Sequence, residues 1–291
     1  MGTNIKISVI VPIYNEEQII AQVINGLKNE LRKLDLEYEI IAVNDGSSDK
    51  TLEILENIKE INLISHPYNK GYGASLKAGA RYAKFDWLLF FDADGQHNPE
   101  YIKELIKHTN QYDIIIGARQ GYKGPILRQP GKKLIHWVAN YLAGHKIPDL
   151  NCGLRLLKKE HFLKLLHILP DGFSLSTTTT LAFLKEGLNV KYVPITVNKR
   201  VGRSSLKMID GFETLMLIIR LIMLFSPLKI FLPVSIVGFV ISIGWAIYDL
   251  INSNFQVISK SSGFLFVASL LVFLFGLLAD QVAAIRRELK K

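Results

Sequence analysis

The sequence predicts an α/β protein with a mostly parallel sheet, followed by an interfacial helix and two membrane-spanning helices. Short apolar runs alternate with helical periodicity in the first hundred residues, polar clusters follow these runs, and two long uncharged stretches lie near the C-terminus. The chain has 291 residues, of which 49% are hydrophobic and 21% charged, so the composition excludes a disordered chain. Its single cysteine, Cys152, excludes an intramolecular disulfide framework and a multi-cysteine zinc site.

The first hundred residues predict a regular alternation of strands and helices. The predicted strands are 6–12, 38–43, 61–65 and 87–91, and the predicted helices are 17–34, 49–59 and 73–82. This order implies parallel strands, and ligands of parallel sheets bind beyond the carboxyl ends of the strands. The residues directly after each strand are therefore the candidates for a functional site.

The C-terminal quarter predicts a membrane hairpin. Residues 230–248 and 261–279 carry no charge, and each stretch is long enough to cross about 30 Å of hydrocarbon. We expect spans at about 230–250 and 262–283; the alternative is two buried helices of a soluble core. Basic residues flank the hairpin while its loop offers only Lys260, so both termini should face the cytoplasm at the cell membrane. The N-terminus lacks the features of a signal peptide.

Three segments follow from this division of the chain. We expect residues 1–207 to form a cytoplasmic α/β domain, residues 208–227 an amphipathic helix in the membrane interface, and residues 228–291 the hairpin with a basic tail. The alternative for the middle segment is a last core helix of the soluble domain.

Two polar clusters follow the first two predicted strands. Pro12, Tyr14, Asn15 and Glu16 offer an aromatic face, an amide and a carboxylate that could hold a base or ribose. Asp45, in the next cluster, could accept hydrogen bonds from a nucleobase edge. Alternatively, both clusters are turns whose polar residues cap the following helices.

The third and fourth clusters point to phosphate and metal. Lys70 stands among glycines before a helix N-terminus, which suits a phosphate, although an ordinary glycine-opened helix fits too. Asp92 and Asp94 leave a buried strand two residues apart, and such like charges are costly unless a cation neutralises them. With Gln96 they suit Mg²⁺ or Mn²⁺; the alternative is a helix cap and a surface turn. His97 is expected to be a solvated turn residue.

The four motifs together resemble a known family. Pro-Ile-Tyr-Asn-Glu, Asn-Asp-Gly-Ser-Ser-Asp-Lys-Thr, Gly-Tyr-Gly-Ala and Asp-Ala-Asp-Gly-Gln are similar, in order and spacing, to family-2 inverting glycosyltransferases of the GT-A fold, over about residues 5–207. Segments 117–119, 149–157 and 194–207 resemble more narrowly the branch of dolichol-phosphate mannose and glucose synthases. The resemblance implies transfer of a sugar from a nucleotide-diphosphate sugar to a polyprenyl phosphate.

The resemblance also implies roles for individual residues. The residues implied in nucleotide-sugar binding are Pro12, Tyr14, Asn15, Glu16, Asp45, Lys70 and Asp92. Those implied in metal binding are Asp92, Asp94 and Gln96. Guanidinium forks match phosphate oxygens, and the implied acceptor-phosphate clamp is Arg119, Arg128, Arg200, Arg203 and Lys207. The implied catalytic residues are Asp94, Asp149, Arg119 and Arg203, with Asp149 orienting the acceptor or sugar or acting as a weak base.

Two positions depart from the family's pattern. Cys152 stands where the branch often has serine, and residues 173–177 lack a glutamate that many relatives carry, which leaves sugar specificity open in a segment that is a candidate lining of the sugar or acceptor pocket. UDP-glucose, UDP-N-acetylglucosamine and GDP-mannose all remain as donors, and dolichyl and undecaprenyl phosphate as acceptors.

Two other functions compete with this one. A polysaccharide-type glycosyltransferase using a sugar hydroxyl would usually carry a Gln-x-x-Arg-Trp segment and more membrane helices, and a membrane-anchored nucleotide-sugar or lipid-binding protein would lack turnover. The formal net charge of +9 is explained by phosphates and an anionic leaflet, so nucleic acid is not expected as a partner. The lipid bilayer is an expected partner, and the hairpin could support a homo-oligomer.

Overall fold

The computed structural model describes residues 5–120, 129–144, 146–198, 216, 219–220, 222–252 and 259–288. The chain divides into two compact units, Met1–Asp210 and Gly211–Lys291. Four candidate clamp residues lie outside the described residues: Arg128, Arg200, Arg203 and Lys207. Most of the segment predicted as an interfacial helix, 208–227, lies outside them as well, so that helix stays a prediction.

A seven-stranded mixed sheet forms the centre of the first unit. Its strands are β1 (Lys6–Ile13), β2 (Glu37–Asn44), β3 (Asn62–Ser65), β4 (Trp87–Phe90), β5 (Ile114–Arg119), β6 (Arg155–Lys158) and β7 (Val190–Ile195). Their order across the sheet is β3-β2-β1-β4-β6-β5-β7. Only β6 is antiparallel to its neighbours, β4 and β5. The predicted mostly parallel α/β fold is confirmed.

Seven helices in the described part of this unit accompany the sheet. They are α1 (Ile20–Lys33), α2 (Thr51–Glu56), α3 (Tyr72–Tyr82), α4 (Tyr101–Ile106), α5 (Gln129–Ala143), α6 (Lys159–Leu165) and α7 (Leu175–Lys185). Helix α1 starts three residues later than predicted because the Glu16 carbonyl accepts the amides of Ile19 and Ile20 in a turn. Its buried residues recur with helical spacing, as an amphipathic helix on a sheet requires.

The core continues on both faces of the sheet near the predicted site. Every residue of β1 from Ile7 to Ile13 is buried, which requires cover on both faces. Helix α3 lies close to β1 because Gly79 has no side chain, and a Cβ there would collide with Ile10. This close packing places the first turn of α3 near the carboxyl ends of the strands.

Two long apolar helices make up most of the described second unit. Helices α8 (Leu228–Asn252) and α9 (Lys260–Glu288) form a hairpin. Gly238 and Gly276 let them approach, since a Cβ at Gly276 would lie 2.5 Å from that of Phe231. Both helices are long and apolar enough to cross a membrane. In the most apolar 18-residue stretch of each helix, only 11% of the residues of α8 and 17% of those of α9 are buried in the protein. Such exposure argues against core helices of a soluble domain.

Candidate active site

Three polar clusters meet at one edge of the sheet. Strands β2, β1 and β4 are neighbours and parallel, with Ile13 paired to Asn44 and Ile10 to Phe90. Their carboxyl ends therefore lie side by side, and each is followed by one of the predicted clusters. Pro12 is buried within β1 and Tyr14, just beyond it, is half-buried.

The first two clusters are joined by hydrogen bonds. The Asn15 amide oxygen accepts the Ser48 backbone N–H at 2.8 Å, and the Asn15 backbone N–H donates to the Ser47 hydroxyl at 3.0 Å. The Glu16 backbone N–H donates to Thr51 at 2.9 Å. Asn15 has φ 55°, a left-handed conformation that asparagine tolerates better than most residues. These side chains thus fix the loops at this edge.

Asp45 organises the loop between β3 and α3. Its carboxylate accepts the backbone N–H groups of Lys70 at 2.9 Å and Gly71 at 2.8 Å, and it lies 2.8 Å from His66 Nδ1. It is only 3% exposed, so both oxygens face donors of the protein itself. Its predicted contact with a nucleobase edge stays a prediction.

The first turn of α3 is covered by protein. The Ala74 amide donates to the Asp171 carbonyl at 3.0 Å, and a Cβ at Gly71, where φ is 104°, would lie 2.5 Å from the same oxygen. The expected use of these helix amides for a phosphate is therefore wrong for Gly71 and Ala74, which are engaged with Asp45 and Asp171. Gly71 and Gly73 instead allow the backbone around Asp171 to pack closely against this turn.

A cavity of about 430 Å³ lies beside α3. Its lining includes His66, Lys70, Lys77 and Arg81, with Asp171 as a single carboxylate. The exposed Lys70 ammonium lies 5.7 Å from the Tyr68 ring centroid. Lys70 is thus available at a mostly basic cavity, which suits a phosphate-bearing ligand.

Asp92 is held by three separate parts of the chain. The Tyr72 hydroxyl donates to Oδ1 at 2.9 Å, and His97 Nε2 lies 3.5 Å from Oδ2. Gly153 packs against the carboxylate, where a Cβ would come within 2.5 Å of Oδ1. Burial works to raise the pKa of Asp92, but the hydrogen bond and charge of His97, the Tyr72 hydroxyl and the charge of Arg119 outweigh it and lower that pKa. Asp92 is therefore an oriented, ionised carboxylate.

His97 is buried, which corrects the expectation of a solvated turn residue. It is 6% exposed, and its ring packs edge-on against Phe91 with the centroids 6.0 Å apart. The Asn198 amide bonds the Gln96 carbonyl at 2.9 Å, and so ties the segment after β7 to this turn. His97 Nδ1 is buried and has no hydrogen-bond partner among the described residues.

Asp94 and Gln96 complete the predicted metal site. Asp94 is 9% exposed and accepts the Gln96 backbone N–H at 3.1 Å. No group of three or more His, Cys, Asp or Glu side chains is placed for a metal ion within the described ranges. Two carboxylates and an amide oxygen still fit Mg²⁺ or Mn²⁺, which keep waters and bind substrate phosphates as further ligands.

Arg119 and Asp149 form a bidentate pair. Arg119 Nε donates to Oδ2 at 2.7 Å and Nη2 to Oδ1 at 2.9 Å, and the Asn151 amide adds a bond to Oδ1 at 3.0 Å. Burial alone would raise the pKa of Asp149, but the hydrogen bond and charge of Arg119 and the backbone amides lower it. An ionised carboxylate committed to an arginine is a poor general base, so the geometry argues against the weak-base alternative, and the orientation of the acceptor or sugar by Asp149 stays a prediction.

Arg155 is a residue of the site that sequence reasoning missed. It is fully buried, and it donates to the Cys152 carbonyl through Nη2 at 2.6 Å and to the Ser176 carbonyl through Nη1 at 3.0 Å. It thereby joins the segment that carries Gly153 to α7. Burial raises the pKa of the neighbouring Cys152 thiol to about 12, so this cysteine is an unreactive core residue. The sequence offers two signals for Arg155: it opens the apolar run of β6, and it is the arginine of the Asp-x-x-x-Gly-x-Arg pattern within the segment 149–157 that resembles the branch.

Comparison with known proteins identifies the family of this chain. Residues 8–166 match Glycosyl transferase family 2, and residues 226–285 match the GtrB C-terminal hairpin. The chain belongs to glycosyltransferase family 2, and its second match together with the two apolar helices indicates an integral membrane protein.

Individual relatives differ in how much of the chain they cover. An uncharacterised protein of Methanocaldococcus jannaschii is 31% identical over 223 residues, which are 72% of this chain and 89% of that protein. The undecaprenyl-phosphate 4-deoxy-4-formamido-L-arabinose transferase of Proteus mirabilis is 32% identical over 160 residues, which are 53% of this chain and 49% of that protein. The chain thus spans about half the length of the latter relative.

A solved structure confirms the GT-A fold. Glucosyl-3-phosphoglycerate synthase from Mycobacterium tuberculosis, in complex with Mn²⁺, UDP-glucose and phosphoglyceric acid, superposes with a TM-score of 0.58 at 21% identity. The superposition covers 75% of this chain and 78% of the synthase. At this identity the likeness concerns the fold alone.

Proposed function

We propose that this protein transfers a sugar, with inversion, from a nucleotide-diphosphate sugar to a polyprenyl monophosphate at the cytoplasmic face of a membrane. The observation that carries the proposal is the oriented Asp92 carboxylate at the carboxyl edge of the sheet, with Asp94 two residues further on, in a chain that also has an apolar hairpin. A relative named for transfer to undecaprenyl phosphate and a structural neighbour bound to Mn²⁺ and UDP-glucose support it.

The donor would lie along the joined clusters. Tyr14, Asn15, Glu16, Asp45 and Lys70 would contact the nucleotide and its phosphates, beside Pro12 at the end of β1. Asp92, Asp94 and Gln96 would hold Mg²⁺ or Mn²⁺. When bound, such an ion neutralises charge that develops on the departing diphosphate.

The acceptor phosphate needs positively charged residues that bind it more than it needs a strong base to remove a proton. A lipid phosphate is already anionic near neutral pH, so its oxygen can attack the anomeric carbon without losing a proton first. The new bond joins that oxygen to the anomeric carbon, and the bond to the diphosphate breaks with its electron pair leaving on the diphosphate. Arg119, with the undescribed Arg128, Arg200, Arg203 and Lys207, is the proposed clamp for the acceptor phosphate, and Asp149 orients Arg119.

The hairpin would hold the enzyme at the bilayer, where the lipid acceptor lies. Removing a polyprenyl tail from the membrane costs about 0.8 kcal/mol per buried CH₂, so the catalytic unit must work at the surface. The second unit also has an apolar groove of about 570 Å³, lined by residues that include Met223, Phe231, Val272 and Phe275. An isoprenoid chain is a suitable occupant of such a groove.

A donor screen tests the proposal. The full chain in liposomes receives polyprenyl phosphate, Mn²⁺ or Mg²⁺, and radiolabelled UDP-glucose, UDP-N-acetylglucosamine or GDP-mannose in turn, and the label is followed into the organic phase. We expect metal-dependent labelling from one donor that is lost in Asp94→Ala. The matched control is Asp35→Ala, which removes an exposed aspartate before β2 and should keep wild-type activity.

The outcomes separate the competing functions. Labelled lipid names the sugar and supports the proposal. Nucleotide binding without labelled lipid from any donor would favour either a donor outside these three or the membrane-anchored binding protein. Label in a water-soluble glycan instead would favour the polysaccharide-type enzyme.

A further inference from the structure

A short loop between α6 and α7, residues 169–173 and here called the docked loop, is fixed on α3. The buried Lys77 ammonium donates to the Leu169 carbonyl at 2.5 Å and to Asp171 Oδ1 at 2.8 Å, and the Ala74 amide bonds the Asp171 carbonyl at 3.0 Å. Any side chain at Gly73 would collide with the loop backbone. The docked loop is therefore held by contacts along its length.

The docked loop ends in an exposed aromatic ring. Phe173 is 50% exposed, yet it stacks on Tyr72 with the ring centroids 5.4 Å apart and an interplanar angle of 16°. The hydroxyl of that tyrosine donates to Asp92 Oδ1 at 2.9 Å. An unbroken line of contacts thus runs from the exposed ring to the aspartate.

This arrangement suits one class of occupant. The Phe173 ring is large, apolar and half-exposed, and the stacking holds it in one orientation. A ligand that binds its flat face therefore costs the side chain little further conformational entropy. Polar side chains lie near it in the sequence, with Asp171 two residues before Phe173 and Ser174 directly after it, so a ligand with both an apolar face and hydroxyl groups fits better than a plain hydrocarbon chain. Sugar rings have this combination.

We propose that Phe173 is the stacking surface for the donor sugar, and that Tyr72 is the positioning residue that fixes this ring relative to Asp92. The inference rests on the proposed function and deepens it by naming a residue that determines sugar affinity. The nucleotide, in contrast, is assigned to the clusters after β1 and β2.

The test compares each nucleotide sugar with its own nucleoside diphosphate. Affinities of UDP-glucose against UDP, UDP-N-acetylglucosamine against UDP, and GDP-mannose against GDP are measured by calorimetry on the full chain in detergent with Mn²⁺ and no acceptor. For the donor that wild type binds best, we expect Phe173→Ala to lose about fivefold in sugar-nucleotide affinity, with the diphosphate affinity unchanged. Phe173→Trp should restore the affinity.

Tyr82→Ala is the matched control, since Tyr82 is 52% exposed at the far end of α3. It should leave both affinities as in wild type. Tyr72→Phe keeps the stacked ring but loses the hydroxyl, so it should keep the sugar-dependent gain in affinity while kcat falls.

Two results would overturn the inference: equal losses in affinity for sugar nucleotide and diphosphate, or no loss in Phe173→Ala. The measurement needs no acceptor. A failure of lipid glycosylation in the donor screen is therefore distinguishable from a failure of the sugar contact.

Discussion

Asp92 shows how residues far apart in the sequence define the site. The residues that contact its carboxylate come from the first turn of α3, from the turn after β4 and from the segment before β6. Each contact restricts the carboxylate from a different side. An aspartate held this way loses little side-chain entropy when it meets a cation, so the site is organised before substrate arrives.

Gly153 should be essential for that organisation. We predict that Gly153→Ala lowers kcat/KM by about 100-fold, because a methyl group would displace the Asp92 carboxylate from its place beside Tyr72 and His97. Steady-state transfer assays measure the loss, and thermal unfolding checks that the fold is kept. Gly26→Ala is the control, since its Cβ would meet only Pro99 at an ordinary 3.8 Å; equal activity of the two variants would contradict the prediction.

Arg155 should matter for stability. We predict that Arg155→Met destabilises the catalytic unit by about 3 kcal/mol or more, because two buried carbonyl groups lose their charged donors. Arg155→Lys should recover only part, since one ammonium cannot bridge both carbonyls with the same geometry. Unfolding midpoints measure this, with the exposed Arg32→Met as a control expected near wild type. A small shift in the unfolding midpoint of both Arg155→Met and Arg155→Lys would show that the carbonyls find other donors and would contradict the prediction.

The Arg119–Asp149 pair gives a pH dependence with a definite sign. The pKa of Asp149 is lowered in the folded protein, so the pair stabilises the fold above the ordinary aspartate pKa of about 3.9. This contribution is lost as the pH falls through the lower folded-state pKa. We therefore expect the difference in unfolding midpoint between wild type and Asp149→Asn to be constant from about pH 5 to 7 and to shrink below about pH 4. A difference that grows on acidification would contradict the pairing.

At the scale of elements, the sequence predicts best where chain neighbours also pair in space. The parallel strands β1 to β4 follow from β-branched runs and their polar exits. Strand β6 does not, because its four residues pair with β4 and β5 across long separations. Helix α7 cannot be predicted from hydrophobic periodicity because residues 175–183 are all buried. The hydroxyls of Thr178, Thr179 and Thr180 donate to backbone carbonyls four residues earlier.

The same limit applies to the site. The strand exits place Asp45, Asp92 and Asp94 at the predicted edge. The sequence does not reveal His66 as the partner of Asp45 or Tyr72 as the partner of Asp92, because which loop folds over which strand end depends on tertiary packing. The burial of His97 likewise depends on the segment after β7.

Helix α5 presents an exposed apolar stripe. Leu134, Trp137 and Tyr141 are 49%, 60% and 41% exposed, and the two aromatic rings stack with centroids 5.9 Å apart. Tryptophan and tyrosine favour the membrane–water interface. In liposomes, the fluorescence of a variant that keeps only Trp137 of the three tryptophans should therefore be quenched by lipids brominated near the headgroup. Fluorescence equal to that in liposomes of unbrominated lipid would contradict contact with the membrane.

At the scale of the whole molecule, the two apolar helices and their flanking charges predict on which side of the bilayer the chain ends lie. Helix α8 has 25 residues, about 37 Å of helix at 1.5 Å per residue, so its two ends should lie on opposite sides of the bilayer. The flanking basic residues predict that the Lys229 end is cytoplasmic.

The lone cysteine makes this topology measurable. Cys152 is buried and its thiol pKa is raised to about 12, so the wild-type chain should react little with maleimides. On intact cells, a membrane-impermeant maleimide should label Asn252→Cys at once, and Lys229→Cys only after lysis, because the two positions end the same spanning helix on opposite sides. The reverse pattern would place the catalytic unit outside, away from any cytoplasmic nucleotide sugar, and would contradict both the topology and the proposed reaction.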